Sequence, residues 1–351
     1  MPTIRLAGLA AALAALPVAA AYRFALVYRV RAGYPKRHPP VWTPAALDLP
    51  FEETVVATDD GLRRPAWFIP AGDGQGPGVV VVHGWESARD RMLPHAQFLH
   101  AAGFHVLTFD VRAHGANGPD PLPISAGEFG ADARAGVRAL LARPEVTRGA
   151  ILGHSMGAAG ALIAGADEPG VGAVVAVSAP ADPYRLTRQT FRLARLPLPD
   201  LIAWPLAWLT TRVYLKPRGH TVRQVSASRA IREVPVPVLL VHGSDDAVVP
   251  VGHVTRLAAI RRCTRPGLVT ETLVVEGGHH SWLYEFAEFR RTVAAFLAES
   301  LGGPHAPDDA GARAEAVAAA RLQDPERLSV LGEEPGGFRS LSRIARRVPP
   351  A

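Results

Sequence analysis

The sequence predicts an α/β fold: a mostly parallel central sheet of about eight strands, helices on both faces, and a short helical cap. Three observations predict it. Short β-branched runs recur along the chain, helix-like stretches separate most of them, and one Pro-broken apolar segment interrupts the alternation late in the chain. With 351 residues, nearly half of them hydrophobic, the chain can bury a sizeable core, and the even spread of apolar runs favours one large domain over residues 51–301.

The elements follow in order. FEETVVAT (51–58) and RRPAWFIP (63–70) flank Asp59-Asp60-Gly61, which reads as an antiparallel hairpin with an Asp-Gly turn. GVVVVH (78–83) is a continuous β-branched run, as expected of a strand covered on both faces. HVLTFD (105–110), GAILGH (149–154), AVVAVSA (173–179), VPVLLVH (236–242) and ETLVVEGG (271–278) repeat that signal. Helical stretches lie between them at Met92 to Ala102, Glu128 to Arg143, Met156 to Ala166, Val251 to Arg262 and Tyr284 to Ser300. Between the sixth and seventh strands, residues 182–234 carry Phe191, Trp204, Trp208 and several leucines, broken by Pro197, Pro199 and Pro205. That composition predicts short helices rather than one long helix.

The two ends differ from this body. Leu6 to Tyr22 is an uninterrupted apolar run preceded by Arg5, and Ala19-Ala20-Ala21 is similar to a small-residue cleavage site. Residues 1–30 are therefore expected to be a membrane anchor or a signal segment, followed by a Pro-rich basic linker at 31–50. Arg23, Arg29, Arg31, Lys36 and Arg37 after the run oppose export, which favours an uncleaved anchor with the catalytic domain on the cytoplasmic side; secretion after cleavage is the alternative. Residues 302–351, rich in Ala, Gly, Pro and charge, are expected to form a mostly mobile tail with a short helix near Ala310 to Leu322. The net charge of +6 sits largely in these two ends, so no nucleic-acid face is expected, and the single Cys263 excludes an internal disulfide or a Cys-based metal site.

Within the body, ILGHSMGAAG (151–160) sets a lone Ser155 between Gly153 and Gly157, after a buried strand and before a small-residue helix. A sharp strand-to-helix turn projects such a serine above the carboxyl edge of the sheet and aims the Met156 backbone N–H at the same spot. A serine hydroxyl is a poor nucleophile without a base and an acid to orient that base. Both types follow in chain order, Asp245 or Asp246 after VPVLLVH and His279 or His280 after LVVEGG.

GHSMG, HGSDDAVVP and GGHHSWLY, together with HGW at 83–85 and DVRAHG at 110–115, resemble the α/β-hydrolase fold, in its esterase/lipase and peptidase-like branch. The resemblance implies Ser155 as nucleophile, Asp246 in preference to Asp245 as acid, His280 in preference to His279 as base, and an oxyanion hole of the Trp85 and Met156 backbone N–H groups. It implies hydrolysis of small-molecule carboxylic esters through an acyl-enzyme, which needs no cofactor; the apolar residues of 182–234 and the basic linker extend the expected substrates to lipid-like esters, and no tight His or Cys spacing suggests a metal. Thioesterase, peptidase and acyltransferase chemistry use the same triad, and a catalytically silent membrane-tethered binding protein is the alternative from another class. Asp110 and Arg112 are expected to form a buried charge pair at the rim, Asp132 to be a helix-surface acid, and His83 and His154 to be local structural partners.

Overall fold

The computed structural model of the chain describes residues 2–72 and 74–318. It opens with helix α1 (Pro2–Ala32) and a short 3-10 turn, and then enters the hairpin β1 (Glu52–Ala57) and β2 (Arg63–Ile69). The alternating part comprises β3 (Gly76–Val82), α2 (Leu93–Ala101), β4 (His105–Phe109), α3 (Ala126–Leu141), β5 (Val146–His154), α4 (Met156–Asp167) and β6 (Val171–Val177). The cap follows as α5 (Pro183–Leu193), α6 (Asp200–Leu215) and the single turn α7 (Ala227–Ala230). The chain then returns through β7 (Val238–Gly243), α8 (Gly252–Thr264), β8 (Thr270–Val275), α9 (Ala287–Leu301) and α10 (Pro307–Ala316). The strands form one eight-stranded sheet in the order β1-β2-β4-β3-β5-β6-β7-β8, antiparallel at β1, β2 and β4 and parallel from there on. This is the α/β-hydrolase architecture, and each of the eight β runs in the sequence supplies one of its strands.

Side chains alternate between the two faces with the period of two that a strand imposes. Val80 and Val82 of β3 enter a core with Phe129 of α3 and Leu162 of α4. Val79 and Val81 enter the opposite core with Phe98 of α2 and Phe289 of α9. Covering the parallel strands on both faces explains why they read as continuous apolar runs.

From Phe24 onward α1 joins the cap: its Phe24 and Tyr28 pack with Phe191 of α5 and Ala207 of α6. Among the described residues no helix is long and apolar enough to cross a membrane. The basic linker lies against the body, where the Lys36 and Val41 amides donate to the carboxylates of Glu86 and Asp90 at 2.9 and 2.8 Å. At the start of the tail, where a short helix is expected near Ala310, α10 packs on α9, and Arg290 donates to the Ala314 and Glu315 carbonyls. The remainder of the tail, from residue 319, lies outside the described residues.

Candidate active site

Ser155 sits between the last residue of β5 and the first of α4, with φ +55° and ψ −116°. That positive φ is a strained conformation for a non-glycine residue, and the neighbours make room for it. A Cβ on Gly153 would lie 2.2 Å from the Gly157 carbonyl oxygen, and one on Gly157 would lie 2.4 Å from that of Val82. Only glycine lets the turn close this tightly against β3.

The turn brings Ser155 to a histidine and an acid from the far ends of two other strands. Ser155 Oγ is 2.9 Å from His280 Nε2, and His280 Nδ1 is 2.8 Å from Asp246 Oδ2. Asp246 follows β7 and His280 follows β8, so the parallel sheet carries all three groups to one edge. Asp246 is buried, and its Oδ1 accepts from the Val248 and Val249 amides at 2.9 and 2.7 Å. Burial alone would raise its carboxyl pKa, but the neighbouring His280 and hydrogen bonds from His242 and His280 hold it well below the usual carboxylate range. Asp245 and His279 are both exposed and stand outside this chain of contacts.

His242 went unnoticed in the sequence. It is fully buried, its Nε2 lies 3.2 Å from Asp246 Oδ2 and 2.7 Å from the Val249 carbonyl, and so it fixes the loop that carries the acid. The signal available was the four-residue spacing of His and Asp within HGSDD. His154 Nε2 is 2.8 Å from the His280 carbonyl oxygen. Burial, with the adjacent His280 adding to it, brings the His154 pKa down to about 4, which leaves a neutral ring that holds the His280 main chain. His83 accepts from the Val111 amide at 3.0 Å and contacts the Gly84 carbonyl at 2.7 Å, bracing the Gly84-Trp85 turn. Trp85 and Met156 flank Ser155, and among the described residues neither backbone N–H has an acceptor.

Two expectations about the rim are corrected. Asp110 and Arg112 do not pair with each other: Asp110 takes the Arg89 amide and guanidinium, and Arg112 binds Asp132 and the half-exposed Asp60. Asp132 is no surface acid, since it is completely buried and also lies 3.6 Å from Arg64. The partners come from distant segments because β4 ends between the loop after β3 and helix α3, and each ion finds its counterion across that junction.

Two cavities open beside Ser155, of about 930 and 910 Å³ counted with their mouths. The first is lined by His280, His154, Trp282 and Arg91; the second lies under the cap and is lined by Met156, Leu186, Tyr214 and Tyr28. Trp85 and Ser155 belong to both.

A profile described as the alpha/beta hydrolase family matches residues 79–296. The chain belongs to the alpha/beta hydrolase family. Among its relatives is the uncharacterized protein Rv2307c of Mycobacterium tuberculosis, 31% identical over 210 residues, or 59% of this chain and 66% of that protein. This alpha/beta hydrolase thus matches just under two thirds of that relative's length. Among solved structures it is similar to the Pyrococcus furiosus esterase Pf2001, at 25% identity and a TM-score of 0.62, covering 77% of this chain and 97% of the esterase. The Pyrococcus horikoshii acylaminoacyl peptidase shares the fold at 16% identity and a TM-score of 0.56, over 72% of this chain and 42% of the peptidase. Family membership and the similarity to the Pf2001 esterase support hydrolase activity, whereas the peptidase shares the fold alone.

Proposed function

We propose that this alpha/beta hydrolase is a serine hydrolase that cleaves carboxylic esters through an acyl-enzyme. The observation that carries the reading is the unbroken line from Ser155 Oγ through both ring nitrogens of His280 to Asp246, at 2.9 and 2.8 Å. In the first step His280 Nε2 takes the Ser155 proton as Oγ forms a bond to the ester carbonyl carbon. The negative charge that develops on the carbonyl oxygen is met by the Trp85 and Met156 N–H groups. Asp246, ionised throughout, stabilises the imidazolium and fixes its orientation. His280 then returns the proton to the departing alkoxide, and water activated by the same ring releases the acid and restores Ser155.

The two cavities divide between the halves of the ester. His280 must reach the leaving oxygen, and it lines only the first cavity. The alcohol is therefore assigned there and the acyl group to the cavity under the cap. The similarity to the Pf2001 esterase favours an ester over a thioester or a peptide on the same triad. An intact Ser155, His280 and Asp246 speaks against a silent binding protein.

We also propose that the protein works against a membrane surface, lying on it rather than spanning it. Helices α1 and α6 pack together and keep Leu16, Val18 and Val30, and Leu201, Ile202 and Trp208, exposed. Arg212 sits over the Trp208 ring at 4.1 Å, an aromatic-cation pairing suited to an anionic interface.

Hydrolysis of p-nitrophenyl butyrate by the full chain tests the catalytic assignment. Ser155→Ala, Asp246→Ala and His280→Ala are each expected to lower kcat/KM on the order of a thousandfold or more, because the three act as one unit, whereas His279→Ala retains activity. Loss of activity in His279→Ala with retention in His280→Ala would reassign the base.

A further inference from the structure

The N-terminal helix reaches into the cavity assigned to the acyl group. Tyr28 and Ala32, one turn apart on α1, both line it together with Ser155 and Met156. Tyr28 is buried, and its ring meets Phe191 of α5 and Tyr214 of α6 edge-on, at centroid distances of 5.9 and 6.2 Å. Its hydroxyl lies 2.9 Å from Thr190 Oγ1. The Tyr214 hydroxyl, in turn, donates to the Ile124 carbonyl and lies 3.3 Å from that of Ala32. Helix α1 is thus bolted to both long cap helices at the level of the cavity.

Thr190 donates to the Thr187 carbonyl at 2.7 Å, so the Thr190–Tyr28 bond must take its hydrogen from Tyr28. Thr211 donates to the Ala207 carbonyl at 2.7 Å, so the 2.8 Å Thr187–Thr211 bond takes its hydrogen from Thr187. All four hydroxyl hydrogens are spent inside the wall. Asp182, the acid on the cavity wall, is engaged with the Tyr184 and Arg185 amides at the start of α5. A ligand carboxylate or phosphate would find no hydroxyl hydrogen from this set and a negative charge nearby, whereas an uncharged aliphatic chain would find Leu186, Ala159, Ile124 and the Tyr28 ring.

We propose that Tyr28 and Ala32 of the N-terminal helix are specificity-determining residues of the acyl site, setting the length of the uncharged aliphatic acyl chain that the hydrolase accepts. The inference rests on the ester-hydrolase reading. Removing the Tyr28 ring lengthens the cavity on the α1 side, and adding a ring at Ala32 shortens it. Each methylene that gains or loses a buried place changes kcat/KM by about fourfold.

The test is the kcat/KM profile of the full chain over p-nitrophenyl acetate, butyrate, octanoate and laurate, for the wild type, Tyr28→Ala and Ala32→Phe. The expected result is opposite shifts: the ratio of laurate to butyrate rises about tenfold or more in Tyr28→Ala and falls by a similar factor in Ala32→Phe. Circular dichroism and a urea melt identify which variants are folded. If Tyr28→Ala does not fold, the sign of the shift in Ala32→Phe decides. An unchanged ratio in the folded variants would overturn the role of α1 while leaving the esterase reading intact. A wild type without Ser155-dependent hydrolysis of any of the four esters would overturn that reading, and the inference with it.

Discussion

Ser155 is held in a positive-φ turn by what its neighbours lack. The hydrogen at Gly157 faces the Val82 and His83 carbonyl oxygens, which a Cβ would approach to 2.4 and 2.5 Å. Those oxygens belong to the end of β3 and the start of the Trp85 turn, so the adjustment open to Gly157→Ala is displacement of the Ser155 elbow away from β3. The expected outcome is a loss of about 1–3 kcal/mol in a urea melt together with loss of p-nitrophenyl butyrate hydrolysis. Wild-type activity and stability would contradict the close-approach argument. At this scale the sequence was legible wherever a residue type and its spacing carry the chemistry. Gly153, Ser155 and Gly157 fall within five residues, and Asp246 and His280 closely follow runs that read as strands. It was illegible where partners are far apart in the chain, as for Arg89 with Asp110, and Arg112 with Asp132. The buried His242 beside Asp246 had only its four-residue spacing from that acid as a local signal, and its burial at the end of β7 comes from the assembled sheet.

Among the elements, α3 shows how a buried ion can hold two parts of the fold together. It begins with a capping box, in which Ser125 Oγ accepts from Gly127 and Glu128 accepts the Ser125 amide at 2.7 Å. Further along, Asp132 is completely buried and is shared by Arg112, from the loop after β4, and Arg64 of β2. Removing one partner of a buried network leaves the others uncompensated. Asp132→Ala is expected to cost about 3–5 kcal/mol in urea denaturation, and a loss below about 1 kcal/mol would show that solvent reaches the two arginines. The strands were legible because a parallel strand covered on both faces has no polar positions to spare. The packing of α1 was not, because a helix apolar on every side gives no periodicity to say which face meets protein. Phe24 and Tyr28 found that face against α5 and α6.

Across the whole molecule, burial decides how stability responds to acid. His95, His154 and His253 have their pKa values lowered by burial to about 3, 4 and 4, from an ordinary value of 6.5. Below 6.5 the unfolded chain takes up protons that the folded one refuses, so folding stability is full above 6.5 and declines as pH falls toward about 4. Asp246, held below the usual carboxylate range, keeps its contribution through this window and loses it only at lower pH. Urea midpoints measured across the window are expected to fall steadily, and a flat profile would mean that these rings are protonated in place. The same burial surrounds the candidate nucleophile, since Ser155 is only 6% exposed, beneath a cap that α1 helps to build. Its reactivity therefore depends on the assembled fold, and the central claim is that this one serine forms the covalent intermediate. The most direct measurement is treatment of the folded full chain with a fluorophosphonate, followed by peptide mapping by mass spectrometry. A single adduct on Ser155 that disappears in His280→Ala is the predicted result; a folded protein that stays unlabelled, or that carries the label on another serine, would contradict it.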